Sequence, residues 1–114
     1  MIAVIFEVYP ADGRKDEYLD IAATLRPLVE DHPGFISVER FQSLTEPNKL
    51  LSLSFFEDEA ALDAWRQVVE HRIAQAKGRN GVFADYRLRI ASVTRNYGMT
   101  DRDEAPKDSK QIYD

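Results

Sequence analysis

The apolar residues of this chain repeat with two different periods, and the order of those periods restricts the fold. Apolar residues at every second position predict a strand, whereas spacings of three and four predict a helix with one apolar stripe. Along the chain these patterns occur in the order strand, helix, strand, strand, helix, strand. The order βαββαβ is that of the ferredoxin-like fold, an antiparallel sheet with two helices on one face. The sequence therefore predicts an α+β fold of this type.

Four segments alternate as strands do and are rich in β-branched and aromatic residues, which favour strands. The first is IAVIFEVY at residues 2–9, and the last runs from Val82 to about Asn96. The two middle segments, residues 35–44 and 49–56, are separated by a turn that contains Pro and Asn. They are therefore expected to pair as a hairpin.

Two segments have helical spacing. The first runs from Arg14 to about Asp31, and because Pro27 lacks an amide hydrogen, a kink or a break is expected there. The second runs from about Glu59 to Lys77. Asp58 precedes it as a predicted N-cap, and Gly78 follows it as a natural stop.

Composition restricts the function. The chain has 114 residues, a net charge of -5, no cysteine and two histidines. The negative charge argues against a nucleic-acid partner bound by phosphate neutralisation. The lack of cysteine excludes disulfides and thiolate chemistry, and the presence of only two histidines argues against a multi-histidine metal site. We therefore predict no metal site.

Location and domain limits follow from the same pattern. No apolar run approaches the length of a membrane span, and the N-terminus leads directly into a strand, so a cytoplasmic protein without membrane contact is expected. Residues 1–98 form one predicted domain. Residues 99–114 are charged and without apolar period, which predicts a flexible tail whose Ile112 and Tyr113 are available to dock on a partner.

The sheet face away from the helices is too apolar to be left in water, so a second copy is expected to cover it and form a homodimer. Alternation places Arg87, Arg89 and Arg95 on one face of the last strand. Buried arginines need partners, and Glu7 and Glu39 are the candidates. We expect an ion-pair cluster at the dimer interface, with anion recognition as the alternative.

The candidate site residues are concentrated in the second helix. Trp65 shares the core stripe with Leu62, Val69 and Ile73, so its first interpretation is structural and its second is the wall of a pocket. His71 lies nearly opposite that stripe. It is either a solvated histidine or, because its pKa suits proton transfer near neutrality, a general base.

Polar groups around this stripe extend the candidate set. Arg72 and Arg79 lie near the edge of the core stripe, where a guanidinium can bind a carboxylate or phenolate, or can form a solvated surface pair. Gln75 and Tyr86 are further candidate substrate contacts. His32, in the turn before Pro33, is assigned no role.

Four stretches together resemble a known family. They are IAVIFEV, HPGFISVERF, LSLSFFEDEAALDAW, and HRIAQAKGR followed by DYRLRIASVTRNYG. Over residues 2–98 the chain resembles the antibiotic biosynthesis monooxygenase family. The resemblance implies a dimeric α+β barrel built from two ferredoxin-like subunits.

The resemblance also implies candidate activities. Family members include cofactor-free oxygenases that oxidise polyketide-derived phenols to quinones, and others that degrade haem. In the haem-degrading members a helix Trp and His act with a first-strand Asn. Trp65 matches the Trp, but Glu7 stands at the Asn position, and Gln75 is nearer than His71 to the His offset. The resemblance does not support haem degradation.

These observations lead to two hypotheses of different classes. The first is a cofactor-independent monooxygenase acting on a small electron-rich aromatic or polyketide-like substrate, with His71 and Arg72 as catalytic residues. Trp65, Gln75, Arg79 and Tyr86 would bind the substrate. The second is a non-catalytic ligand-binding or stress-associated dimeric module, in which the same residues serve packing and ion pairs. Haem binding ranks below both.

Overall fold

The computed structural model describes residues 1–75 and 81–113, and for residues 71–75 and Tyr113 it describes the backbone alone. It confirms the βαββαβ order and adds a short C-terminal helix. The elements are β1 (Ile2–Pro10), α1 (Lys15–Glu30), β2 (Phe35–Gln42), β3 (Leu50–Phe56), α2 (Glu59–Gln75), β4 (Phe83–Ser92) and α3 (Lys107–Tyr113).

The four strands form one antiparallel sheet in the order β2-β3-β1-β4, as the ferredoxin-like fold requires. In this register Val4 lies opposite Ser54 on β3 and Ile90 on β4. Because strand side chains alternate between the two faces, Val4 and its alternate neighbours share the face covered by the helices. We call this the inner face and its opposite the outer face.

The core lies between the inner face and the two helices and consists of two clusters. The first joins the start of β1 and the end of β3 to both helices, through Ile2, Val29, Phe56 and Leu62. The second lies at the other end of the sheet and consists of Val8, Tyr18, Leu50 and Val82. These clusters hold α1 and α2 on the same side of the sheet.

The two helices follow the sequence prediction with one correction. Asp58 caps α2 as expected, because its Oδ1 accepts a hydrogen bond from the Ala61 amide at 2.8 Å. The expected break at Pro27 is wrong, since α1 continues to Glu30. Pro27 removes one hydrogen bond only three residues before the helix ends, and the buried Val29 anchors the last turn in the core. A kink at Pro27 stays a prediction.

The last strand ends earlier than its sequence pattern indicated. β4 stops at Ser92, which pairs with Ile2 at the beginning of β1. Beyond this point β1 offers no further residues for pairing, and one hydrogen bond from the Val93 amide to the Met1 carbonyl, at 3.0 Å, completes the ladder. The alternating pattern predicted that β4 continues to about Asn96. The strand ends earlier because the described residues provide no strand with which that segment could pair.

The C-terminal segment contains a helix that the sequence analysis did not predict. Lys107–Tyr113 forms α3, and the Lys110 amide donates to the Pro106 carbonyl at 2.9 Å. The division at residue 98 and the flexibility of the tail stay predictions. Among the described helices, none combines the length and hydropathy that crossing a membrane would require.

The turn between α1 and β2 fixes the start of α2. The Glu57 amide donates to the Gly34 carbonyl at 2.8 Å, and Gly34 has a φ of 84°, a conformation that favours glycine. A Cβ atom on Gly34 would lie 2.5 Å from the Ala61 Cβ. The turn and α2 therefore approach each other too closely for any side chain at this position.

This contact predicts a difference between two glycine substitutions. Gly34→Ala should destabilise the protein by about 2–4 kcal/mol, because backbone strain and overpacking both act. Gly13→Ala is the matched control, since Gly13 has a φ of 73° and a Cβ added to it would meet nothing within 4 Å. In Gly13→Ala, backbone strain alone should lower the free energy of unfolding by about 1–2 kcal/mol. Urea unfolding monitored by Trp65 fluorescence measures both, and equal losses would contradict the close approach.

Candidate functional site

An apolar strip along the inner face of β4 is exposed to solvent, although the helices pack on this face of the sheet. Tyr86, Leu88 and Ile90 pair with Val8, Phe6 and Val4 on β1, which places them on the inner face. Their exposed fractions are nevertheless 56%, 47% and 51%. The described side chains of the helices therefore leave the inner face of β4 accessible.

Aromatic rings form one end of this strip. The Phe6 ring lies 5.6 Å from the Tyr86 ring and 5.9 Å from the Phe83 ring, measured between centroids. Phe83 in turn contacts Tyr18 on α1 at 5.7 Å, edge to face. Such pairs stabilise one another and hold a flat apolar wall in place. The Tyr86 hydroxyl gives this wall a hydrogen-bonding group.

The strip itself supplies no acid or base. On the inner face β1 contributes aliphatic residues and Phe6, and between Tyr86 and Ser92 β4 contributes aliphatic and hydroxyl side chains. A group that titrates near neutrality must therefore come from another element. α2 begins at the end of the sheet where Phe56 pairs with Ile2 and runs back toward the end where β4 begins. Its last turn thus lies toward the Tyr86 end of the strip.

That last turn carries most of the residues that the sequence analysis selected. The backbone of His71, Arg72 and Gln75 is helical and belongs to α2, but their side chains lie outside the described part of the chain. Arg79 lies outside the described residues altogether. The catalytic and binding roles assigned to these four residues stay predictions.

Trp65 occupies a structural position. It packs against the first core cluster, as its place on the apolar stripe predicts. Its ring lies 5.6 Å from that of His32, whose Nε2–H donates a hydrogen bond to the Ala61 carbonyl at 3.1 Å. Contact with a ligand at the strip is a second role that stays a prediction for Trp65.

His32 is a residue whose importance the sequence did not reveal. Its side chain joins the turn after α1 to the first turn of α2 and to Trp65. The HPG sequence indicated only a turn. The contact depends on Ala61 and Trp65, which are about thirty residues away, and no local pattern predicts it.

The outer face carries a charged network rather than a pocket. Glu7 binds Arg89 through Oε1 at 3.0 Å and Lys49 through Oε2 at 3.2 Å. Lys49 also lies 3.6 Å from Glu46, which accepts a hydrogen bond from the Tyr9 hydroxyl at 2.9 Å. The predicted pairing of Glu7 with an arginine is present. Lys49, Glu46 and Tyr9 are additional members.

This network is only partly buried in the single chain, since the Arg89 side chain is 55% accessible while those of Glu7 and Lys49 are 28% and 27% accessible. The predicted burial of the cluster therefore depends on a second subunit. The hydrogen bond from Lys49, supported by the charges of Lys49 and Arg89, lowers the pKa of Glu7. The hydrogen bond to Glu7 raises the pKa of Lys49, and the bond to Glu46 raises that of Tyr9. Each of these shifts favours the form that makes the pairs.

The lowered pKa of Glu7 predicts a pH-dependent contribution to stability. Because the pKa of Glu7 is lower in the folded state than the unfolded value of 4.5, ionised Glu7 stabilises the fold. This stabilisation is complete at a pH above 4.5 and disappears as the pH falls through the folded-state pKa. Glu7→Gln should therefore lower the melting temperature at pH 7 and have no effect at a pH well below the folded value. Asp20→Asn, at an exposed carboxylate on α1, is the control. An equal effect of Glu7→Gln at both pH values would contradict the network.

Comparison with known proteins is consistent with this architecture. The chain is 49% identical over 94 residues to the jasmonate monooxygenase ABM of Pyricularia oryzae, covering 82% of this chain and 44% of that protein. It is 30% identical over 93 residues to the Bacillus subtilis protein YqjZ, covering 82% of this chain and 79% of the relative. This chain thus spans less than half of the fungal relative.

Solved structures show the same fold. Rv0793 from Mycobacterium tuberculosis superposes with a TM-score of 0.72 at 13% identity, covering 85% of this chain and 98% of the other. A crystal structure of an antibiotic biosynthesis monooxygenase gives 0.67 at 18% identity, covering 82% and 98%. The family model named antibiotic biosynthesis monooxygenase matches residues 1–77. The chain therefore belongs to the antibiotic biosynthesis monooxygenase family.

Proposed function

We propose that this protein is a monooxygenase that acts without a bound cofactor on a small, electron-rich aromatic or polyketide-like substrate in the cytoplasm. The observation that carries the proposal is the open apolar strip of Tyr86, Leu88 and Ile90, with its aromatic wall. Family membership and the monooxygenase named among the relatives support the reaction class.

The chemistry needs little from the protein. Deprotonation of a phenol gives an electron-rich phenolate that can itself reduce dioxygen. One oxygen atom is inserted at the ring carbon, the other leaves as water, and the phenol becomes a quinone. For the parent compound, phenol and dioxygen give benzoquinone and water in equal amounts, so the substrate supplies all four electrons. The protein must provide a base, a partner for the anion and a site without water.

The selected residues fit those three tasks. His71 is the proposed base, since an imidazole is half protonated near neutrality. Arg72 and Arg79 are proposed to stabilise the phenolate, and a guanidinium binds such an oxygen through two hydrogens. Tyr86, Gln75 and the edge of Trp65 are proposed to orient the ring. Leu88 and Ile90 would supply the apolar floor that excludes water.

The fungal relative suggests a second substrate class. Jasmonate is an aliphatic ketone with a carboxylate, and unlike a phenolate it does not readily donate electrons to dioxygen. Its carboxylate would suit Arg72 or Arg79, and its apolar body would suit the strip. We therefore include jasmonate as a second candidate ligand of the strip. Its hydroxylation would place one oxygen atom on the substrate and release the other as water, and would require a two-electron reductant such as a reduced nicotinamide from solution. Turnover of jasmonate alone with that reductant would replace our aromatic assignment.

A non-catalytic binding module is the competing function. The same apolar strip could hold a ligand without any reaction, and the charged network would then serve assembly only. The two functions differ in oxygen consumption, because a binding module takes up none. Ligand binding without oxygen uptake would favour the module.

We further propose that the protein is a homodimer joined through its outer faces. Leu51, Leu53 and Phe55 of β3 lie on the outer face with Ile5, and all of them are partly accessible in the single chain. Phe41 on β2 adds a side chain that is 42% exposed. Two such faces packed together would bury this apolar surface and withdraw the Glu7–Arg89 pair from water.

The catalytic proposal predicts a specific loss. With a phenolic polyketide or a dihydroxynaphthalene in EDTA-containing buffer without nicotinamide or flavin, the protein should consume one dioxygen per quinone formed. His71→Ala should lower kcat about 10²–10⁴-fold through loss of the base. Tyr86→Ala should mainly raise KM. An oxygen electrode together with quinone absorbance measures both.

Gln67→Ala is the control for the activity test. Gln67 is exposed on α2, four residues before His71, and it has no proposed role. It should leave kcat and KM unchanged. Unchanged turnover in His71→Ala would remove His71 from the mechanism, and a requirement for added haemin would support haem chemistry instead.

The proposed dimer predicts a second pair of variants. Leu53→Asp would place an unpaired charge in the interface and should raise the dimer dissociation constant about 100-fold or more. Leu44→Asp, in the β2–β3 turn where Leu44 is 101% exposed, should leave it unchanged. Sedimentation equilibrium measures the constant. A monomeric parent protein, or equal effects of the two variants, would contradict the outer-face dimer.

A further inference from the structure

Arg40 is a partly buried arginine whose side chain binds no other group among the described residues. The register pairs it with Ser52, which places its side chain on the inner face of β2. Its Nε is the one buried side-chain nitrogen or oxygen atom that lacks a hydrogen-bond partner in the described part of the chain. A charged donor that is buried without a partner destabilises a folded protein. A ligand that supplies the missing acceptor would remove this cost.

The other arginines whose side chains are described have partners or lie in water. Four of them form ion pairs with glutamates, namely Arg14, Arg26, Arg66 and Arg89. Arg102 is hydrogen-bonded within the C-terminal segment, and Arg87 and Arg95 are exposed. Water satisfies the donors of an exposed guanidinium, but it does not reach the Nε of Arg40. Arg40 therefore differs from the others in being buried at that atom and unpaired.

Two serine hydroxyls lie beside Arg40 on the inner face. Ser52 is directly opposite Arg40, and Ser54 follows one pair further along, opposite Val38. Residues that are directly opposite on one face have Cβ atoms about 4.5–5.5 Å apart. Both serines are partly accessible, and neither hydroxyl makes a hydrogen bond to the described residues. These hydroxyls are therefore available to a ligand of Arg40.

A groove at the β2 edge leads to this side chain. It has a volume of about 480 Å³, and on the inner side of the sheet it is lined by Val38, Arg40 and, from α1, Arg26. The rest of its lining belongs to the outer face, most of which the proposed dimer would cover. The inner side would stay open in such a dimer. A small ligand could therefore reach Arg40 with or without a second subunit.

The charges of the groove favour an anion on its inner side. Arg26 and Arg40 are the two cations of the described lining, whereas its one acidic residue, Glu39, points to the outer face. Arg26 binds Glu30 at 2.8 Å, but both side chains are about half exposed, and such a surface pair contributes little to stability. Arg26 can therefore turn to a ligand at small cost.

We propose that the inner side of the β2 edge is a binding site for an oxyanion, the carboxylate or phosphate group of a small organic ligand. Arg40 turns toward the groove and donates to two oxygen atoms, from Nε and one Nη, because a planar guanidinium binds such groups side-on. The Ser52 hydroxyl donates to the same anion, and Arg26 adds a second positive charge. Binding thereby satisfies the donor that is buried without a partner in the free chain.

This site is separate from the apolar strip of β4. β2 and β4 are the two edges of the sheet, and Arg40 stands in the same cross-strand row as Leu88, with Ser52 and Phe6 between them. Three strand spacings of about 4.8 Å separate the two edges by about 14 Å. Loss of one site would leave the other intact, and the anion site depends on neither the proposed reaction nor the proposed dimer.

NMR of the arginine side chains tests the site directly. The full chain is labelled with ¹⁵N and titrated with butyrate and, in a second sample, with inorganic phosphate, while chloride keeps the ionic strength constant. We expect a saturable shift of the Arg40 Nε–Hε signal and of the Ser52 amide signal. A response to butyrate alone identifies a carboxylate site, a response to phosphate alone identifies a phosphate site, and a response to both identifies a general oxyanion site.

Variants separate the paired donors of Arg40 from its charge. Arg40→Gln and Arg40→Lys should each raise the dissociation constant about tenfold or more, because lysine keeps the charge but not the paired donors. Arg26→Gln should raise it several-fold. Arg66→Gln is the matched control, since Arg66 forms the same kind of exposed pair, with Glu70 at 3.0 Å, on the other helix. The Ser52 amide reports binding in all four variants, and unchanged amide signals along β4 show that each is folded.

Three results would contradict the anion site. The first is the lack of a saturable shift with either anion. The second is an equal loss of affinity in Arg40→Gln and Arg66→Gln, because it would show a general effect of positive charge. The third is a shift confined to Leu88 and Ile90, which would place the anion at the strip instead.

Discussion

The antiparallel pairing of β1 with both of its neighbours is the constraint on which the rest of this structure depends. β1 is central in the sheet, and its alternate residues belong to two different surfaces. Ile2, Val4, Phe6 and Val8 face the helices, while Ala3, Ile5, Glu7 and Tyr9 face outward. A slip of one residue would exchange the two sets. The buried Val8 and Phe56 fix the register because neither can be moved to the outer face without loss of the core.

This division separates binding from assembly. The inner face is covered where α1 and α2 pack, and it is left open along β4, where the proposed substrate would lie. The outer face carries the charged network of Glu7, Lys49 and Arg89 and the apolar residues that we assign to the dimer. The turn containing His32 and Gly34 fixes the start of α2 through its contacts with Ala61, Trp65 and Glu57.

Local sequence patterns predicted the order of elements, the Asp58 cap, the inner face of β1 and the pairing of Glu7 with a strand arginine. They depend on residue spacing of two, three or four, which the sequence displays directly. The end of β4 was not predictable, because it is set by where β1 begins. Contacts between distant or non-periodic residues determine the role of His32, the participation of Lys49 and Tyr9 in the charged network, and the fold of residues 93–113 around Arg102. The roles of His71, Arg72, Gln75 and Arg79 stay predictions.

The central claim is that the inner face of β4 is a ligand site while the outer face is an assembly surface. Ile90 and Ile5 make the most direct test, since they lie on adjacent strands and on opposite faces. Methyl NMR of isoleucine-labelled protein, titrated with a dihydroxynaphthalene under nitrogen, reports on both at once. The account predicts a saturable shift of the Ile90 methyl signal with little change at Ile5. A shift at Ile5 alone, or no saturable shift at either residue, would contradict it.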